Sequence, residues 1–151
     1  MSEDIAWAAG LFEGEGCMST FAKTHLIRAT VSSMDREVLD CFQSIVGVGR
    51  ITRQTTTKDG RVFWRWSANM EEAADVMRLF LPYMGVRRQM RALQLLNARE
   101  QHIAAVTHER QCPGCGVSFR PPYSANSGRQ THCARTCYDS TTGRRRRKVH
   151  A

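Results

Sequence analysis

The sequence predicts an α+β fold, with helices on one face of a single antiparallel sheet and a small metal-held appendage. Three observations carry this. Apolar spacing switches between helical and alternating periods in the order α-β-β-α-β-β-α-α. Two of the alternating runs meet across "KDG", a hairpin signal. Near residue 110 the composition changes: residues 1–110 carry a net charge of +1, whereas 111–151 carry +7 and four of the six cysteines. The expected organisation is a main domain over 1–105, a linker over 106–111, a cysteine module over 112–140 and a basic tail over 141–151.

The elements follow in order. "SEDIAWAAGLFEG" places Ile5, Ala8, Ala9 and Phe12 at helical spacing, with Ser2 or Asp4 to cap it, and Gly14 or Gly16 ends it. "CMSTFAKTHLIRATVSS" alternates and reads as two strands turning near Thr24. "DREVLDCFQSIVG" is an amphipathic helix begun by Asp35. "VGRITRQTTT" and "RVFWRWSAN" form the hairpin. "MEEAADVMRLFLPYM" and "VRRQMRALQLLNAREQHIAAV" are helices parted near Pro82 and Gly85.

The chain has 151 residues and 42% apolar content, enough to bury one core. No apolar run approaches the roughly 18 residues of a membrane span. The acidic start "MSEDIAWAAG" is unlike the basic start of a signal peptide. The expected location is the reducing cytoplasm, without secretion or membrane insertion. A net charge of +8 calls for an acidic partner, nucleic acid first and an anionic membrane surface second.

Alternation assigns the strand faces. Ile27, Ala29, Val31, Ile51, Val62, Trp64 and Trp66 should face the helices. The open face should carry Lys23, Arg28 and Thr30 on the first pair. On the second pair it should carry Arg50, Thr52, Gln54, Lys58 at the turn, Arg61 and Arg65. This face has almost no acid to balance its arginines. It is either a solvated face or a surface that lies in a DNA major groove and bonds to base edges.

Cys112, Cys115, Cys133 and Cys137 make "CPGC" and "CARTC", with 17 residues between the pairs. Two close thiol pairs across a short loop suit one tetrahedral zinc. The alternative is two disulfides, which need an oxidising compartment. The segment between the pairs has too little apolar content to fold alone, so a bound Zn²⁺ would be structural. Cys41 is expected as a buried free thiol. Arg144, Arg145, Arg146 and Arg147 lie in "GRRRRK", a non-specific phosphate clamp, a disordered tail or a nuclear signal.

"AAGLFEGEG", residues 8–16, resembles the LAGLIDADG motif of homing endonucleases. Ala9, Gly10, Leu11 and Gly16 match outright, Glu13 and Glu15 stand at the motif's aspartates, and Gly14 replaces its alanine. The likeness extends over the α-β-β-α-β-β-α order of roughly residues 4–100. It implies an αββαββα domain with a saddle-shaped sheet. It also implies two motif helices packed face to face, with Ala9 and Gly10 at the contact. One motif copy makes half a site, so the resemblance implies a homodimer on a near-palindromic double-stranded DNA target. Glu15 would then hold a catalytic Mg²⁺ with the backbone of Gly14, and Arg87 would be the basic residue near the start of the last helix. Paired carboxylates at a helix C-terminus repel each other and the helix dipole, which a divalent cation relieves.

Two departures stand out. Glu15 is one methylene longer than the usual Asp, and "VSSMD" lacks the family's Gln, with Ser33 its nearest equivalent. Three readings follow: a site-specific double-strand DNA endonuclease, a non-cleaving DNA-binding regulator on the same fold, and an RNA-binding splicing maturase.

Overall fold

The computed structural model describes residues 2–21, 26–56, 60–123 and 129–142. Lys23, Lys58, Arg144, Arg145, Arg146 and Arg147 lie outside the described residues, as does the turn near Thr24. The chain divides into two units, Met1–Arg99 and Glu100–Ala151.

The first unit holds α1 (Ser2–Glu15), β1 (Gly16–Phe21), β2 (Leu26–Ser33), α2 (Arg36–Val46), β3 (Arg50–Thr55), β4 (Val62–Asn69) and α3 (Met70–Phe80). A 3-10 turn (Leu81–Tyr83) leads into α4 (Val86–Val106), within which the division falls. Local chemistry accounts for several boundaries. Asp35 caps α2, its carboxylate accepting from the Glu37 amide at 2.9 Å. Gly47 closes the same helix in the left-handed region, its N–H donating to the Gln43 carbonyl. Among the described residues, no helix is long and apolar enough to cross a membrane.

Among the described residues, β1 to β4 form one antiparallel sheet in the order β1-β2-β4-β3. The register aligns Gly16, Val31, Trp66 and Ile51 in one row across all four strands. Val31 and Trp66 are buried, and Ile51 packs against the core. Ala29 pairs with Ala68 in the same layer, and both are buried. The alternating pattern thus sends its apolar half to the helices.

Aromatic rings tie the helices to the sheet. Phe12 of α1 lies 5.5 Å from Phe80 of α3, and Phe80 lies 5.9 Å from Phe42 of α2. Phe42 meets Trp66 edge-on at 4.9 Å. The Trp66 indole N–H donates to the Val48 carbonyl at 2.9 Å. Gly49 follows with φ +86, and a Cβ there would sit 2.5 Å from the indole nitrogen. Only glycine fits both that backbone and that space.

Cys41 is exposed, contrary to its expected burial. The core face of α2 is set by Leu39 and Phe42. Cys41 lies two residues past Leu39, about 200° around the helix axis.

The junction of α1 and β1 has no connecting residue. A Cβ on Gly16 would fall 2.3 Å from the Phe12 carbonyl oxygen and 2.6 Å from its ring. At Gly14 a Cβ would meet nothing within 4 Å. Gly16→Ala should therefore lower stability by about 1–3 kcal/mol through overpacking. Gly14→Ala should leave it unchanged or raise it by up to about 1 kcal/mol, because glycine is a poor helix former. Denaturant melts of the two variants check this. Equal melts would mean that α1 and β1 are not joined so tightly.

Candidate nucleic-acid interface and metal centres

The open face of the sheet is polar and basic. Its rows, read across paired strands, are Ser19–Arg28–Asn69, Cys17–Thr30–Ser67–Arg50, Ser32–Arg65–Thr52 and Phe63–Gln54. None of the four strands contains an acidic residue. Arg28, Thr30, Arg50, Thr52, Gln54 and Arg65 therefore share one face. Arg61 precedes β4 and closes the loop through its backbone, donating to the Thr56 hydroxyl at 3.0 Å.

Several of these side chains are held in place. Arg28 Nε donates to Asn69 Oδ1 at 2.8 Å. Arg65 Nε donates to Ser32 Oγ at 3.3 Å, and its guanidinium lies 5.3 Å from the Phe63 ring centre. Gln54 Nε2 donates to Thr52 Oγ1 at 2.9 Å. Bracing of this kind lowers the entropy lost when a side chain binds a partner. Arginine and glutamine forks match guanine and adenine edges in a major groove. Phe63, an aromatic ring among these polar groups, was not anticipated. Its position two residues before Arg65 in an alternating strand is the signal that places it there.

At the edge of this face, Glu15 ends α1 and is exposed. Its carboxylate and the exposed backbone of Gly14 are hard oxygen donors, which suit Mg²⁺. Glu13 turns the other way. Its Oε2 lies 3.3 Å from Arg88 Nε. Arg88 Nη2 also donates to the carbonyls of Phe12 at 2.6 Å and Gly16 at 2.7 Å. Arg87 is exposed beside it. Sequence reading singled out Arg87, whereas the side chain that reaches α1 is that of Arg88.

Ala9, expected at a helix–helix contact, is fully buried in the core of its own unit. Gly10 is exposed, with open space where a Cβ would stand. The outward row of α1 is Ala6, Trp7, Gly10 and Gly14, and Trp7 is 44% exposed. Helical phase accounts for the difference between Ala9 and Gly10: Ala8, Ala9 and Phe12 form the inward stripe.

The second unit contains β5 (Arg110–Gln111), β6 (Ser118–Phe119) and α5 (Arg135–Thr142). The sulfurs of Cys112, Cys115, Cys133 and Cys137 all lie within 4.8 Å of one another. Cys115 and Cys133 are 3.5 Å apart, and Cys133 and Cys137 3.6 Å. A tetrahedron with metal–sulfur bonds of about 2.3 Å has edges of about 3.8 Å. The four thiols thus form a cluster able to hold a metal ion, and all six cysteines are free of disulfides. The Cys112 thiol is pulled down to about 6, chiefly by the Cys133 amide directed at its sulfur. Cys133 is pushed up to about 12, first by its contact with Cys115. Ionised sulfurs this close repel one another, and a bound cation relieves that repulsion. His132 is not in this cluster: its two ring nitrogens pair with Thr131 and Thr141 at 2.8 and 2.7 Å.

No family model matches this chain, and no curated protein matches it in sequence. Solved structures do match. The homing endonuclease I-CvuI in complex with its target and 2 mM Ca is 17% identical, with a TM-score of 0.53 over 71% of this chain and 74% of that one. An archaeal intron-encoded homing endonuclease complexed with DNA is 19% identical, with a TM-score of 0.50 over 70% of each chain. The group I intron-encoded homing endonuclease I-CeuI complexed with DNA is 16% identical, with a TM-score of 0.52 over 70% of this chain and 59% of that one. At these identities the likeness is one of fold: the chain has the α+β fold of the LAGLIDADG homing endonucleases.

Proposed function

We propose that the chain is a site-specific double-strand DNA endonuclease that works as a homodimer on a near-palindromic site. The observation that carries the reading is the position of Glu15. An exposed carboxylate leads directly, with no linker, into a sheet whose open face is basic and whose strands hold no acid. Such a face attracts phosphate, while a carboxylate repels it. A carboxylate at that edge suits a cation that bridges protein and DNA. The likeness in fold to nucleases bound to DNA with calcium or magnesium supports the same reading.

In this reading Glu15 and the Gly14 backbone hold Mg²⁺, which supplies activation of water and stabilisation of the leaving oxygen. Arg28, Thr30, Arg50, Thr52, Gln54, Arg61 and Arg65, with Lys23 and Lys58, seat the duplex, and Arg87 offers a cation toward the phosphate. Glu15 is one carboxylate, so a second copy completes the site, meeting the first along the Gly10 face of α1. The four-cysteine cluster holds Zn²⁺ in a structural role. The tail with Arg144, Arg145, Arg146 and Arg147 clamps flanking phosphates. Six cysteines free of disulfides and a DNA substrate fit a reducing, intracellular location.

A second reading, a DNA-binding regulator that does not cut, is favoured by Ser33. It stands nearest the absent Gln, and its Oγ is engaged at 3.0 Å by the Asp35 amide at the entry to α2. It is committed to that turn.

A cleavage selection on a randomised duplex library with Mg²⁺ separates the two. Glu15→Gln should abolish cutting, because a neutral amide binds Mg²⁺ poorly, and DNA affinity should stay within a few-fold. Cleavage by the variant at the wild-type rate would remove Glu15 from the mechanism.

The zinc assignment expects one zinc per chain by elemental analysis, lost when Cys112 and Cys115 are both changed to Ser. Zinc-free wild-type protein would overturn it. Changing Arg144 to Arg147 to Ala should lower the slope of log affinity against log salt by roughly 3 to 4 units if all four meet phosphates. Base preference, read by titrations on matched and scrambled sites, should not change. An altered preference with an unchanged slope would show the tail reading bases instead.

A further inference from the structure

Arg88 makes more structural connections than a surface cation needs. Its side chain is 16% exposed. One nitrogen, Nη2, donates to the Phe12 carbonyl at 2.6 Å and to the Gly16 carbonyl at 2.7 Å. These two carbonyls bracket Glu13, Gly14 and Glu15. The Phe12 carbonyl belongs to the last four of α1, which lack a helical donor. The guanidinium lies 5.5 Å from the Phe12 ring centre and 3.3 Å, through Nε, from Glu13 Oε2. The Nε and Oε2 atoms are buried and ion-paired, but off-line for a hydrogen bond. Gly85 leaves room for this pair: a Cβ there would stand 3.2 Å from Glu13 Oε1.

We propose that Arg88 is a positioning residue for Glu15, with Glu13 as its counter-ion rather than a second metal ligand. This rests on the reading of Glu15 as the metal-binding acid. Arg88 spans the last turn of α1 and the first residue of β1 from the start of α4. It therefore fixes the direction in which the intervening Glu15 leaves the helix. Its charge also opposes the repulsion between two acids at a helix C-terminus. Arg88 meets the carbonyls through Nη2 and Glu13 through Nε, whereas lysine has all three donors on one nitrogen and loses that second, separately placed contact point.

The test uses the full chain. Three forms are compared: wild type, Arg88→Lys, and the double variant Arg88→Met with Glu13→Gln. The double variant removes both members of the pair, so neither is left as an uncompensated buried charge. Thermal melts, DNA affinity, single-turnover cleavage with Mg²⁺, and Mn²⁺ binding to the protein–DNA complex by paramagnetic resonance are read for each. The double variant should melt within about 4 °C of wild type and bind DNA within a few-fold. Its cleavage should fall about 100-fold, as for a misplaced reactive group, and its Mn²⁺ half-saturation should rise about tenfold. Arg88→Lys should lie between the two.

Wild-type cleavage and Mn²⁺ affinity in the double variant would reduce Arg88 to a structural role and overturn the proposal. Should the double variant not fold, unchanged cleavage and Mn²⁺ affinity in Arg88→Lys would do the same. A wild type that binds Mn²⁺ through Glu15 but cuts nothing would sink the nuclease reading alone, and the Mn²⁺ shift would still decide the role of Arg88. A wild-type complex with no Mn²⁺ bound through Glu15 would sink both.

Discussion

The contact between Gly16 and the Phe12 carbonyl is the constraint on which the rest depends. A helix runs directly into a strand, and the fit leaves no room for a side chain at the crossing. Because the strand begins where the helix stops, the acids of the last turn cannot move independently of the sheet. The same Phe12 whose backbone forms the crossing sends its ring to Phe80, and from there contacts continue through Phe42 to Trp66. The junction, three helices and a central strand are thus one packed body. Displacing any of them shifts the carboxylates relative to the basic face.

The sheet separates two chemistries by parity alone. Side chains alternate across a strand, so one row holds Val31, Trp66 and Ile51 while the next holds Ser32, Arg65 and Thr52. Burial fills one side. The other collects Arg28, Arg50 and Arg65 on strands that contain no acidic residue, a positive face that suits an anionic partner. Neighbours hold several of these side chains, as Ser32 and Phe63 hold Arg65. The face is therefore partly organised before any partner arrives.

The same logic of concentrated like charge governs both ends of the chain. Two carboxylates close α1, and one of them is neutralised internally by Arg88. Four thiols crowd together in the second unit, where a cation would relieve the repulsion between ionised sulfurs. In each case ordinary folding forces disfavour the cluster, so a function is the better account of its presence.

The sequence by itself determined the element order of the first unit, the partition of each strand into two faces, the cap at Asp35 and the spacing of two close cysteine pairs. These are properties of period and spacing, which neighbours do not alter. The structure brought those pairs into one cluster of free thiols. Only the tertiary structure decided how each helix is rotated against its surroundings. Helical spacing put Ala9 and Gly10 side by side, but packing turned Ala9 inward and left Gly10 outside. It turned Cys41 outward, and sent Glu13 to Arg88 while leaving Glu15 exposed. Arg87 and Arg88 are adjacent and alike in sequence. About 100° of helical rotation separates them, and only the packing of α4 against the end of α1 selects which one reaches the site.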